Sequence, residues 1–132
     1  MNEENMTFYD SSGRAVAYCD DGETIYLFNG MPVVYFYGDV VYGFNGHQFG
    51  TIKNGWIRDN SGLCVFYTDN AQGGPVKPVK QVSPAKCVKH VKLVKSVRHT
   101  PYVKAVDCLG WSNLSGERFF RNRYYFCGYR KM

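Results

Sequence analysis

Glycine recurs in this chain in two interleaved phases, and no other feature limits the fold so tightly. One set stands at Gly13, Gly30, Gly46 and Gly62, spaced by 17, 16 and 16 residues. A second set, Gly22, Gly38 and Gly55, is spaced by 16 and 17. Aligned on the first set, the segments read FYDSSGRAVAYCDDG, IYLFNGMPVVYFYGD, VYGFNGHQFGTIKNG and WIRDNSGLCVFYTDN. A match in both phases marks four copies of one structural unit, so the repeat decides the fold class.

Each unit has the chemistry of a β-hairpin. A short aromatic strand such as Tyr26-Leu27-Phe28 runs into Asn29-Gly30, and Asn45-Gly46 repeats the arrangement. Asn-Gly tolerates the positive φ of a type I′ turn, which predicts two-residue turns here. Asp10-Ser11-Ser12-Gly13 and Asp59-Asn60-Ser61-Gly62 carry one more residue and predict longer loops with glycine in the left-handed position. Eleven Tyr, nine Phe and fourteen Gly fit half-buried aromatic strands joined by turns. One hairpin alone is marginal in water. The expected fold is therefore all-β: four repeated hairpins in a pseudo-four-fold arrangement over 1–72, packing their aromatic faces together.

After Gly73-Gly74 the pattern changes to a period of three. Val or Ala occupies 76, 79, 82, 85, 88, 91 and 94, followed by Val97, Thr100, Val103 and Val106. Cations follow directly at Lys77, Lys80, Lys86, Lys89, Lys92, Lys95, Arg98 and Lys104. A helix would wind such a stripe around its axis, and a strand would put it on both faces. A chain with three residues per turn keeps it in one row. Pro75, Pro78, Pro84 and Pro101 favour the polyproline II conformation with that period. Residues 73–106 are thus expected to form an extended basic arm, polyproline-II-like or strand. At about 3.1 Å per residue it spans on the order of 95 Å. Such an arm wraps the hairpin module, doubles back as paired strands, or reaches another subunit. Residues 107–132 form an aromatic, arginine-rich tail.

Charge divides at the same boundary. Residues 1–71 hold three basic and nine acidic side chains, and residues 72–132 hold thirteen and two, giving net charges of −6 and +11. The acidic half, with its charge and its sheet edges, is the nearest partner for the arm, within or between chains. Self-association is the expected partner mode.

The hairpin run ending in NGWIRDNSGLCVF, followed by GGPVKPVKQVSPAK and LGWSNLSGERFF, resembles the bacterial four-fold β-flower family over about residues 7–120. That resemblance implies a four-fold hairpin domain with no established activity and no catalytic residues to carry over. Two departures are visible: proline thins out in VKHVKLVKSVRH, and the tail continues past Phe120 as RNRYYFCGYRKM.

Reactive chemistry is sparse. The three histidines are His47, beside the third turn, and His90 and His99 in the arm; they make no triad pattern. Asp20 and Asp21 are adjacent turn residues, expected to be solvated. No glycine loop precedes a helix in a phosphate-binding pattern. The cysteines, at 19, 64, 87, 108 and 127, form no C-x-x-C pair and read as free thiols rather than metal ligands. No cofactor, no small-molecule ligand and no enzyme activity is expected. No apolar run is long enough for a membrane helix. Met1–Met6 is acidic where a signal peptide needs a basic start, so a cytoplasmic protein without membrane attachment is expected.

Two function classes remain. One is a binding or assembly module without chemistry. The other is nucleic-acid or polyanion binding by the eight arm cations named above, which would track phosphates by counterion release. The tail would assist through Arg118, Arg121, Arg123 and Arg130 interleaved with Phe119, Phe120, Tyr124, Tyr125 and Tyr129, as stacking platforms. Trp56 is expected in the core, and Trp111 is expected to anchor the end of the arm.

Overall fold

The computed structural model describes residues 5–120. Eight strands follow in order: β1 (Met6–Tyr9), β2 (Ala15–Cys19), β3 (Thr24–Leu27), β4 (Pro32–Tyr37), β5 (Val40–Gly43), β6 (Gln48–Lys53), β7 (Trp56–Asp59) and β8 (Cys64–Tyr67). Every strand pairs antiparallel with its sequence neighbour, and β8 pairs with β1 through Tyr67 and Tyr9, closing a barrel. The four expected hairpins are β1–β2, β3–β4, β5–β6 and β7–β8. The expected sheet edges are not left open, because closure pairs the first strand with the last. No helix among the described residues is long and apolar enough to cross a membrane.

The turns correct one expectation. All four hairpins use the same three-residue loop. In each, the glycine N–H bonds back to the first residue of the turn: Gly13 to Asp10, Gly30 to Leu27, Gly46 to Gly43 and Gly62 to Asp59. Each glycine has φ between 84° and 96°. This is a type I turn followed by a left-handed glycine bulge, not type I′. The asparagines act through their side chains instead. Asn29 Oδ1 accepts from the Met31 N–H at 2.9 Å, and Asn45 Oδ1 from His47 at 3.0 Å. In the outer two repeats Asp10 and Asp59 do the same from the first turn position. The two-residue type I′ turn lies between hairpins, at Asn54-Gly55, where φ is 52° and 82°.

The repeat also fixes the core. Each hairpin faces one cross-strand pair inward: Phe8 with Ala17, Ile25 with Val34, Val41 with Gly50, and Ile57 with Phe66. Apart from Gly50, which has no side chain, the members of these pairs are fully buried in one cluster. Phe119 and Phe120, on a single helical turn at 118–120, join that cluster from outside the repeat. Phe120 stacks on Phe66 with centroids 5.6 Å apart, and Phe119 meets Phe49 edge-on at 5.7 Å. Their burial removes both from the stacking surface expected of the tail. Arg118, exposed on the same turn, donates to the Asn113 carbonyl at 3.1 Å, and the tail residues of that expectation from Arg121 onward lie outside the described residues.

On the outer face the repeat presents stacked tyrosines. Tyr18 pairs with Tyr26, Tyr35 with Tyr42, and Tyr67 with Tyr9, with ring centroids 5.3–6.1 Å apart. The fourth equivalent pair is Thr51 with Arg58. These outward rings are nonetheless buried, which means that something covers the barrel wall.

Candidate functional site

The covering is the arm. Residues 75–107 form no strand and no helix, and run round the barrel wall as a belt. The belt is seated on the turn glycines. The N–H groups of Gln81, His90, His99 and Cys108 donate to the carbonyls of Gly13, Gly30, Gly46 and Gly62, at 2.8, 2.8, 2.9 and 3.1 Å. Those donors are nine residues apart, so three turns of a three-residue chain match one hairpin of 16 or 17. Cys87 and Ser96 add bonds to Phe28 and Phe44, again nine apart. The fit is close: a Cβ at any of the four glycines would lie 2.0–2.2 Å from a belt carbonyl, those of Val79, Val88, Val97 and Val106. The period glycine therefore serves twice, for its positive φ and for belt contact.

The sequence-predicted cations face the barrel. Lys80 pairs with Asp69 and lies over the Tyr9 ring. Lys86 lies 4.4 Å above Tyr18. Lys89 bonds Asp20 at 2.6 Å and lies 4.6 Å above Tyr26. Lys92 reaches Asp21 at 3.4 Å. Lys95 pairs with Glu23 and covers Tyr35 at 4.3 Å. Arg98 lies 3.5 Å above Tyr37, Lys104 meets Asp39 at 3.3 Å, and Lys77 donates to the Ala71 carbonyl at 3.0 Å. Tyrosine faces attract these ammonium groups through the ring quadrupole, the more so where water is excluded. Two tyrosine hydroxyls hold the belt backbone: Tyr67 donates to Pro78 at 2.6 Å and Tyr42 to His99 at 2.9 Å.

The fourth repeat reverses this electrostatic pattern. At the belt position of Lys80, Lys89 and Arg98 stands Asp107, and the barrel answers with Lys53 at 3.2 Å and Arg58 at 3.6 Å. Arg58 occupies the place of Tyr9, Tyr26 and Tyr42, and donates to the carbonyls of Gly62 and Cys108. The hydrogen bond from Lys53 holds the Asp107 carboxyl below its ordinary pKa. The bond to Asp69 raises Lys80, and that to Asp20 raises Lys89. Asp20 and Asp21 are thus belt anchors rather than solvated turn residues.

With two of its three phases on the barrel, the belt turns the third to solvent. Nine of its valines are at least 83% exposed. A buried valine row under a solvating layer of lysines is the opposite of what is found. Past the valines, Trp111 secures the end, meeting Trp56 edge-on at 5.5 Å beside a parallel bridge to Cys64. Trp56 is buried as expected, but on the outer wall, where it also contacts Gly74.

Little else in the described residues offers chemistry. His47 and His99 meet edge to face at 4.3 Å across the barrel–belt seam. Cys19 and Cys64 are buried fillers, while Cys87 is exposed. No group of three or more His, Cys, Asp or Glu among the described residues is placed to hold a metal ion. An open hollow of about 510 Å³ lies beside the Asn54-Gly55 turn, lined by Met6, Ile52 and Thr68 among others. Its charged lining residues, Lys53 and Asp69, are committed to Asp107 and Lys80.

A family model described as 4-fold beta flower protein matches residues 6–120. No curated protein and no solved structure matches the chain.

Proposed function

Because the chain belongs to the 4-fold beta flower family, whose description names a shape and no reaction, we propose that it is a binding or assembly module without catalytic activity. Its binding face is the valine row of the belt. One observation carries this reading: the belt commits its cations to the barrel and presents nine valines to solvent. An apolar row of that extent on a water-facing surface, interrupted by a polar residue at Thr100 alone, is a mark of an interaction site.

The same observation weighs against polyanion binding by the arm. Lys80, Lys89, Lys92, Lys95 and Lys104 already neutralise barrel carboxylates, so a nucleic acid would have to displace those partners. Counterion release, the usual driving force, is then largely spent within the molecule.

The test uses two probes on the full chain. A dye that fluoresces on apolar surface is expected to bind the wild type, and to lose most of its signal in Val88→Ser/Val91→Ser/Val94→Ser at unchanged melting temperature. A labelled single-stranded oligonucleotide is expected not to bind, even at low salt. Dye binding indifferent to the valines, or oligonucleotide binding with a steep salt slope, would overturn the reading.

A further inference from the structure

We infer that the occupant of the valine row is a second copy of this chain, docked belt to belt around Val91. The inference rests on the binding reading above and names its partner.

Two features of the stretch Val88–Val97 favour a like surface. First, its charge is cancelled locally. Lys89, Lys92 and Lys95 each hold one carboxylate of the same barrel, Asp20, Asp21 and Glu23. Two copies can therefore approach along this stretch without the repulsion that a free row of lysines would impose. Second, Leu93 is 61% exposed between the valines, which widens the apolar patch beside Val91 and Val94. The patch is dense in branched apolar side chains and contains no proline.

Geometry then selects the partner. A row with one valine every three residues repeats at roughly 9 Å. A second row fills those gaps only if it has the same spacing, and an identical belt related by a two-fold axis supplies it. Two such rows run antiparallel, and each valine inserts between two of the other copy, the self-complementary contact of a two-fold dimer. A prolyl-helix receptor of the aromatic-groove kind recognises prolines, and the stretch Val88–Val97 contains none.

Area sets the strength. Side chains of this size carry on the order of 80 Å² of apolar surface each. The five from Val88 to Val97 then bury roughly 400 Å² per copy, in the small class below about 1,200 Å² in total. The dimer is expected to form at micromolar concentrations and above.

Sedimentation equilibrium of the full chain from about 5 to about 500 µM tests it. The wild type is expected to shift from monomer to dimer across that range. Val91→Glu and Val91→Lys, both at an exposed site and checked for unchanged melting, are each expected to stay monomeric. Mixed one to one, they are expected to restore the dimer, because opposite charges then face each other across the two-fold axis. A wild type monomeric throughout overturns the inference while leaving the dye result, and so the binding reading, standing. A Val91→Glu dimer as strong as wild type, or a mixture that stays monomeric beside a dimeric wild type, shows that belts do not meet belts.

Discussion

Lys53 and Asp107 stand 3.2 Å apart with the barrel side cationic and the belt side anionic. One and two hairpins away the same positions read Asp69 with Lys80 and Asp20 with Lys89, the other way round. The inversion fixes where the belt stops. A belt that slid on by nine residues would keep three of the four glycine seats but bring Arg98 onto Lys53 and Arg58. Like charges in contact disfavour that register, so the fourth repeat favours the observed wrapping over the shifted one.

Asp107→Lys is therefore expected to destabilise the chain more than loss of a surface ion pair does. The bond to Lys53 is half-exposed and worth about 0.5 kcal/mol. Arg58, whose side chain is 5% exposed, is the larger concern, because it would face a cation with only two carbonyls left to it. A loss on the order of 2 kcal/mol in urea unfolding follows. Adding Lys53→Asp should recover part of it. No loss for the single variant, or no recovery in the pair, would show that polarity does not set the register.

The glycine seats give a paired prediction. Gly30 and Gly38 both have positive φ, 96° and 62°. A methyl group at Gly38 would meet nothing within 4 Å, whereas at Gly30 it would lie 2.0 Å from the Val88 carbonyl oxygen. Gly38→Ala is expected to cost about 1 kcal/mol, the left-handed penalty alone. Gly30→Ala should cost at least about twice that and should speed proteolysis of the belt near Val88. Equal losses with equal protease resistance would mean that the belt is not seated on the turn.

Most of the architecture was legible because the repeat has two phases. Gly13, Gly30, Gly46 and Gly62 show the hairpins, and the valines show a chain with three residues per turn. The charge split brings the arm's cations to the acidic half, but which way the valines face was not legible. Composition treats valine as a residue to bury and lysine as one to solvate. Here tyrosine faces and acidic turns on the outer wall attract lysine, and the third phase is left to valine. The signal existed in the sequence: the barrel acids Asp20, Asp21 and Glu23 cluster before the second hairpin as Lys89, Lys92 and Lys95 cluster on the belt. The turn type was misread for a local reason. Asn29-Gly30 fills the second and third loop positions, so Asn29 supplies a carbonyl oxygen rather than a positive φ. Closure by β8 on β1 has no local signature; a single register pair, Tyr67 with Tyr9, joins them.

Stability should fall on both sides of a neutral plateau. Burial pushes the Asp21 carboxyl up, but the N–H groups of Thr24 and Glu23, with Lys92, outweigh it and hold it low. Asp107 is held low by Lys53. A carboxylate depressed in the folded state stabilises above its unfolded pKa near about 4, and that stabilisation is lost as pH falls through the folded value. At the other side Lys80 and Lys89 are raised by their carboxylates, and burial raises Tyr18 and Tyr67 and pushes Cys19 up to about 11. Raised groups stabilise below their unfolded pKa values and lose that contribution as pH climbs. Urea midpoints from about pH 2 to about pH 11 are expected to be flat between about 5 and 8, and to drop beyond. A midpoint that keeps rising into acid would contradict the paired carboxylates.

Phe119 tests whether the segment after the belt belongs to the folding unit. It is 2% exposed, and it touches Phe49, Phe66 and Phe120 with centroids 5.2–5.7 Å apart. The hairpins leave room for it, because two of their inward positions are small, Ala17 and Gly50. Removing the ring should open a cavity that closed strands cannot collapse to fill. Phe119→Ala is expected to cost about 3–5 kcal/mol, while Phe119→Leu, which refills most of the volume, should cost nearer 1. Val91→Ala, on the belt's outer row, should stay within about 0.5 kcal/mol of wild type. Urea unfolding of the three variants gives the order directly. If Phe119→Ala is as mild as Val91→Ala, the four hairpins are sufficient by themselves and the phenylalanines merely rest against them. If the order holds, the barrel is completed by residues that lie beyond its own repeat, and truncation after the belt would leave it without part of its core.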